Sequence, residues 1–91
     1  MFKGIFISNS YIKDKNLNSN ERIILGFLEL FNKYIDDKRL TNKTISSCTG
    51  ISESIVNKCL KRLEAEGYIK IKFIYHKKTM IKLGKEITIL K

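Results

Sequence analysis

The chain has 91 residues, of which 43% are hydrophobic, and its formal net charge is +9. This length allows one small domain, and this hydrophobic content excludes a chain that is disordered throughout. The lysine excess favours a polyanionic partner such as nucleic acid, although a lysine-rich composition also suits an AT-rich genome.

The positive charge is concentrated at the end of the chain. Residues 1–67 carry 11 basic and 8 acidic side chains, a net charge of +3. Residues 68–91 carry seven lysines and one acidic residue, Glu86, a net charge of +6. A basic segment of this kind on a folded domain is typical of proteins that contact phosphate groups.

The sequence also predicts what the protein lacks. Cys48 and Cys59 do not have zinc-site spacing, and one histidine, His76, cannot complete a site, so we expect no metal and no cofactor. We expect both cysteines to be small buried or half-buried residues in a reducing cytosol. The sequence has no nucleophile–base pair and no phosphate-binding loop, so we expect that the protein is not an enzyme. No signal peptide or membrane span is evident, so the expected location is cytoplasmic, with no membrane partner.

The first part of the chain predicts a strand, a polar connection and a long helix. Residues 1–8 are rich in Phe and Ile, which favours a short strand. Residues 9–18 are polar, with Tyr11 and Ile12 as the one apolar pair, and are interpreted as a loop or one short turn. A helix is predicted over residues 20–35, with its start capped at Asn18 or Ser19. Its apolar residues recur at helical spacing: Ile23, Ile24, Phe27, Leu28 and Phe31.

Two further helices follow a charged link at residues 36–39. Thr41 or Asn42 is expected to cap a short helix that reaches about Cys48 and ends at Gly50, a residue suited to left-handed backbone. Ser52 is expected to cap a third helix that runs to about Glu66. Four apolar residues define one sector of that helix: Val56, Cys59, Leu60 and Leu63.

After residue 67 the apolar pattern changes from helical to alternating. Residues 68–73 are predicted to form a half-buried strand, with Ile69, Ile71 and Phe73 facing inward. Residues 76–78 are predicted to form a tight connection, and residues 79–83 a second strand with Ile81 and Leu83 inward. Gly84 and Lys85 are expected to break this strand. A last short strand is predicted at Ile87, Ile89 and Leu90, where it could pair with residues 1–8.

The turn between the second and third helices carries a family resemblance. The run Thr-Gly-Ile-Ser-Glu-Ser-Ile-Val at residues 49–56, with Leu60, Leu63, Glu64 and Gly-Tyr-Ile at residues 67–69, resembles the winged helix-turn-helix domains of bacterial regulators and of phage and plasmid replication proteins. Asp-Lys-Asn-Leu at residues 14–17 is similar to the opening of replication-initiator domains. TubR-type centromere-binding proteins are similar in size and fold only. The resemblance covers about residues 18–83.

The resemblance implies an α+β fold with three helices, a small antiparallel sheet that forms the wing, and a short N-terminal strand. The whole chain, residues 1–91, would be one domain, with the helix-turn-helix at residues 41–67 and the wing at residues 68–83. In this fold the third helix reads the major groove, and the wing contacts the backbone or the minor groove.

The candidate DNA contacts lie on the third helix, at the start of the second helix and in the hairpin. They are Lys43, Thr44, Ser52, Ser54, Ile55, Asn57, Lys58, Lys61, Arg62, Lys77 and Lys78. A solvated helix face would also explain the lysines of the third helix, and edge-strand protection would also explain those of the hairpin. Ile55 suits either a thymine methyl group or a dimer surface.

The predicted function is sequence-specific binding of double-stranded DNA by a homodimer, in transcriptional regulation or in plasmid or phage maintenance. Alternatives within this class are a centromere-binding adaptor of a partition system, with a plasmid or phage maintenance protein as partner, and a replication-initiator-type DNA binder. A further alternative is a winged helix that binds protein and not DNA.

Overall fold

The computed structural model describes residues 9–90, which form four α-helices followed by one antiparallel β-hairpin. In chain order the elements are α1 (Asn9–Lys13), α2 (Ser19–Tyr34), α3 (Asn42–Thr49), α4 (Glu53–Ala65), β1 (Ile69–Tyr75) and β2 (Lys82–Ile89). This confirms the predicted α+β class. The strand predicted over residues 1–8, and its pairing with the last strand, lie outside the described residues.

The segment before the long helix contributes to the core. Residues 9–13 form the short helix α1, where the sequence predicted a loop or one short turn. Tyr11 and Leu17 are each 4% exposed and pack with the apolar face of α2. Burial of Tyr11, together with a hydrogen bond and the negative charge of Glu29, raises the pKa of this tyrosine to about 12. An isolated apolar pair has no periodicity, so only packing could show which of its members is buried.

A capping box starts α2 at the predicted place. The backbone N–H of Glu21 donates to Asn18 Oδ1 at 2.8 Å, and the N–H of Asn18 donates to Glu21 Oε1 at 2.9 Å. These two bonds satisfy donors that a helix start otherwise leaves unpaired. The helix buries its apolar face, including Ile24, Phe27 and Phe31, and ends before Ile35.

The two helices of the turn motif form as predicted. Thr41 caps α3 by accepting the N–H of Thr44 at 3.1 Å, and Gly50 ends the helix with a left-handed φ of 78°. Ser52 occupies the cap position of α4, but its side chain makes no capping hydrogen bond, so the predicted capping role of its hydroxyl is wrong.

One continuous core joins the helices to the base of the hairpin. Ile45 and Val56 are fully buried and Ile51 is 8% exposed, so these three residues hold α3 and α4 together across the turn. The predicted sector of α4 is buried throughout: Val56, Cys59, Leu60 and Leu63. Cys48 is half-buried and Cys59 is buried, as expected, and both are free thiols. Burial raises the pKa of the Cys59 thiol.

The second half of the hairpin differs from the prediction. β2 is one strand over Lys82–Ile89, paired with β1 from Ile69 opposite Ile89 to Tyr75 opposite Lys82. The predicted strand at residues 79–83, the break at residues 84–85 and the separate last strand are therefore wrong. A glycine and a lysine interrupt the alternating apolar pattern of a strand. Here the strand continues through both residues because β2 pairs with β1 on one side and with the backbone of Leu40 on the other.

Only the base of the hairpin packs against the helices. Ile69 and Ile87 are almost fully buried, whereas Phe73 is 44% exposed, Ile81 63% and Leu83 40%. The prediction that Phe73, Ile81 and Leu83 face inward is therefore wrong. Exposure rises toward the turn because the hairpin continues past the helices that cover its base.

Gly84 lies where β2 contacts the segment before α3. The N–H of Leu40 donates to the carbonyl of Lys85 and the N–H of Lys85 donates to the carbonyl of Leu40, both at 2.8 Å. Gly84 has a φ of 150°, and a Cβ added there would lie 3.0 Å from the carbonyl oxygen of Leu40. The absent side chain therefore lets the backbone of residue 40 approach the strand.

Replacing Gly84 by Ala is expected to lower the free energy of unfolding by about 2 kcal/mol, because backbone strain and the contact with Leu40 add together. Gly67→Ala is the matched control, since Gly67 also has a positive φ, of 79°, but an added Cβ would contact nothing within 4 Å. For the control we expect the free energy of unfolding to fall by about 1 kcal/mol. Urea unfolding measures both losses. Equal losses in the two variants would contradict the importance of the close approach.

Candidate nucleic-acid interface

One face of α4 is polar and open to solvent along the helix. The buried residues of α4 lie in a single sector, so at 100° per residue the opposite sector faces outward. The exposed side chains in that sector are Ser54, Ile55, Asn57, Lys58 and Lys61. Ile55 is 40% exposed and is the one large apolar side chain among them.

The start of α4 presents two hydroxyl groups and a carboxylate. Ser52 Oγ lies 3.4 Å from Ser54 Oγ, and both residues are exposed. Glu53 is the acidic residue of the first turn, where the helix dipole favours a negative charge. This end of α4 suits neutral hydrogen-bonding groups better than phosphate.

The start of α3 is only partly open. Lys43 is exposed, and Thr44 is half-buried. The N–H of Thr44 is used by Thr41 Oγ1, and the two threonine hydroxyl oxygens lie 3.0 Å apart. A phosphate at this helix end could therefore meet the Lys43 ammonium, whereas the backbone amide of Thr44 is occupied.

Arg62 is bound to the protein body. Its guanidinium forms an ion pair with Glu21, and it also donates to the backbone carbonyl of Asn16 at 2.7 Å and to Asn16 Oδ1 at 3.0 Å. The hydrogen bond to Glu21 raises the pKa of Arg62 further. The structure thus directs Arg62 toward the α1–α2 connection, away from the other candidates on α4.

The hairpin turn presents Lys77 and Lys78 to solvent. His76 holds this turn, because its Nδ1 accepts the backbone N–H of Lys78 at 3.2 Å and that of Thr79 at 3.3 Å. Its own backbone N–H donates to the carbonyl of Ile81 at 2.8 Å. His76 is therefore a turn residue, as predicted.

Three more exposed lysines lie along the two strands. Lys70 and Lys72 alternate with Ile69 and Ile71 on β1, so they occupy the opposite face of the sheet. Lys82 Nζ lies 3.9 Å from the ring centre of Phe73, a cation–π contact that covers part of this exposed aromatic ring.

Lys85 is the exception among the hairpin lysines that the structure describes, because it is 7% exposed. Its ammonium donates to Asn42 Oδ1 at the start of α3. Asn42 Nδ2 in turn donates to Asn57 Oδ1 on α4 at 3.4 Å. Burial, and secondly the charge of Lys82, lowers the pKa of Lys85.

Comparison with protein families agrees with this geometry. Residues 31–70 match the family model of winged helix-turn-helix DNA-binding domains. The matched segment runs from the end of α2 through α3, the Gly50 turn and α4 to the start of β1. The chain has the winged helix-turn-helix fold, and residues 31–70 are similar to the DNA-binding domains of that family. No curated protein matches the chain.

In the winged helix-turn-helix, α3 and α4 are the two helices of the motif, and the wing is the hairpin of β1, β2 and their connecting turn. Ten of the predicted contacts lie on the open surface of α4, at the start of α3 or in the wing turn. Arg62 is separated from them by its bonds to Glu21 and Asn16. Across residues 9–90, no helix is long and apolar enough to cross a membrane, and no cluster of three or more metal-ligating side chains occurs.

Sequence reasoning missed the linked residues Lys85 and Asn42. Lys85 was interpreted as part of a strand break, and Asn42 only as a possible cap. Their contact joins residues 43 positions apart, so no local pattern could predict it. The contact of Arg62 with Glu21 was missed for the same reason, since 41 positions separate these two residues.

Proposed function

We propose that this protein binds double-stranded DNA sequence-specifically, with the exposed face of α4 in the major groove. The observation that carries this proposal is the polar sector of α4, where Ser54, Asn57 and Lys58 can bond to base edges or phosphates. A helix with its side chains is about 10–12 Å wide and fits a major groove of about 12 Å.

The wing supplies the contacts to the DNA backbone in this proposal. Its exposed lysines, including Lys77 and Lys78, displace counterions from phosphates, which gives affinity that does not depend on sequence. Lys43 at the start of α3 adds a further phosphate contact. Specificity and affinity thus arise from different elements.

We further propose that two copies bind each site, in transcriptional regulation or in plasmid or phage maintenance, and that the protein acts by binding and not as an enzyme. One recognition helix contacts only a few base pairs, and a dimer gains specificity by reading two half-sites about one helical turn apart. The alternatives within this role are a centromere-binding adaptor with a maintenance protein as partner and a replication-initiator-type binder.

The test is selection of preferred sites from random duplexes, followed by affinity measurements over a range of salt concentrations. Lys58→Ala with Lys61→Ala is expected to weaken binding to the selected site about 10- to 50-fold at 0.1 M salt and to reduce the salt dependence by the equivalent of about two phosphate contacts. Light scattering on the selected duplex is expected to show two copies per site.

The matched control is Lys13→Ala with Lys33→Ala, which removes the same charge from exposed positions on α1 and α2. An equal loss in this control, or binding that does not weaken with salt, would contradict the proposed interface.

A second candidate function is favoured by Ile55, an apolar side chain that is 40% exposed at the edge of the polar face. Such a residue also suits a protein contact through α4. A stable dimer that binds no duplex even at low salt would favour this candidate.

A further inference from the structure

We propose that Lys85 and Asn42 are positioning residues for specificity, and that they orient the amide of Asn57 so that it reads bases as a hydrogen-bond donor. This proposal rests on the proposed function, since it concerns how α4 discriminates between bases. It links the base of the wing to the recognition helix through α3.

The three side chains form a chain of contacts across three elements. Lys85 on β2 donates to Asn42 Oδ1, and Asn42 Nδ2 on α3 donates to Asn57 Oδ1 on α4 at 3.4 Å. Lys85 is 7% exposed, Asn42 is half-buried and Asn57 is exposed. This series of contacts thus begins in the protein interior and ends on the surface proposed to face DNA.

The chemistry of lysine determines which atom donates in each of the two hydrogen bonds that link Lys85, Asn42 and Asn57. An ammonium has three donors and no acceptor, so the atom of Asn42 that faces Lys85 must be its oxygen. The Asn42 nitrogen therefore faces Asn57 and donates, and the atom of Asn57 that faces it must also be the oxygen. The free end of the Asn57 amide is then its NH₂ group, with two donors.

Lys85 also has a reason to retain this contact. A buried ammonium needs an acceptor, and neither of the ion pairs found within residues 9–90 involves Lys85. Its low exposure keeps it from reaching a phosphate, unlike the exposed lysines of the wing. Asn42 is therefore held in place because the buried Lys85 ammonium needs its oxygen as an acceptor, and not by a surface interaction.

The consequence is a preference for particular bases at one position. The outward NH₂ group of Asn57 can donate to N7 or O6 of guanine, to N7 of adenine or to O4 of thymine. Cytosine presents only its amino donor in the major groove, so it offers this group no partner. We therefore expect the position read by Asn57 to reject cytosine on the contacted strand.

The experiment measures affinity for a set of duplexes in which every position of the selected site carries each of the four base pairs in turn. Asn57→Ala identifies the position that Asn57 reads. Asn42→Asp keeps an acceptor for Lys85 but removes the donor to Asn57, so the Asn57 amide is expected to turn and donate to Asp. Its oxygen then faces outward, and at that position the discrimination against cytosine is expected to fall by about tenfold or to reverse.

Lys85→Met releases Asn42 and is expected to weaken discrimination at the same position alone. The matched control is Lys72→Met, which removes an exposed wing lysine and is expected to weaken binding to all duplexes by one common factor. The proposal would be overturned if Asn42→Asp and Lys85→Met each weakened binding to all duplexes by one common factor and left the base preference unchanged.

A measurement without DNA separates this proposal from the proposed function. In the free protein the NMR signals of the Asn42 side-chain NH₂ group are expected to show one proton that exchanges slowly, and Asn57→Ala is expected to remove this protection. Absent protection would overturn the orientation of Asn57 even if the protein binds DNA. Protection without binding to any duplex would leave the contact chain in place and overturn its role in specificity together with the proposed function.

Discussion

Replacing Arg62 by Gln is expected to lower the free energy of unfolding by about 3 kcal/mol, because it leaves the carboxylate of Glu21 buried without its cation. The Glu21 side chain is fully buried, whereas that of Arg62 is 41% exposed, so we expect a loss at the lower end of the range for broken buried ion pairs. Of the two carboxylate oxygens, Oε1 accepts from Arg62 and from the N–H of Asn18, and Oε2 has no hydrogen-bond partner.

Thermal or urea unfolding measures this loss, which corresponds to a decrease in Tm of roughly 10–20 °C for a domain of this size. Lys61→Gln is the matched control, since Lys61 is the exposed neighbour on the same helix, and we expect a change within about 0.5 kcal/mol. Adding Glu21→Gln to the Arg62 variant is expected to recover part of the stability, because an uncharged amide costs less to bury. Unchanged stability with weaker DNA binding would instead place Arg62 at the DNA, as the sequence predicted.

Replacing three exposed wing lysines, Lys72, Lys77 and Lys78, by Gln is expected to weaken DNA binding several-hundred-fold at 0.1 M salt. Each phosphate contact contributes a slope of about 0.9 in the logarithmic salt dependence, so three lost contacts lower the slope by about 2.7. We expect the same factor for the preferred duplex and for a scrambled duplex, because the phosphates carry no sequence information.

The control for the wing variant replaces three exposed lysines outside the candidate interface, Lys13, Lys15 and Lys33, by Gln. It produces the same change in net charge and is expected to weaken binding far less. If both triple variants weakened binding equally, net charge and not the wing would supply the affinity. If the wing variant lost affinity only for the preferred duplex, the wing would read sequence.

Local sequence patterns predicted the helices well because the signals are local. The cap at Asn18, the cap at Thr41 and the left-handed Gly50 each act within four residues, and all three are present. The hairpin was predicted less well. Gly84 and Lys85 break the alternation of β2, and only the backbone pairing of Lys85 with Leu40 shows that the strand continues.

For the candidate interface, too, the sequence predicted the local features and missed the contacts between distant residues. Helical spacing alone set Val56 and Leu63 inward and Lys58 and Lys61 outward, and the structure has this arrangement. Spacing could not reveal that Arg62 reaches Glu21, because the two residues are 41 positions apart. A long side chain that starts on an exposed face can still end at a buried charge elsewhere in the fold.

The sequence by itself therefore determined the positive charge, the helix–turn–helix order and the outward sector of α4, since these depend on composition and on contacts between near neighbours. The tertiary structure decided which side chains are already engaged. It directed Arg62 to a buried carboxylate and Lys85 to Asn42, and it left four wing lysines exposed, Lys70, Lys72, Lys77 and Lys78. The physical reason is that a buried charge must find a partner, and this partner is chosen by packing between elements that are distant in the chain.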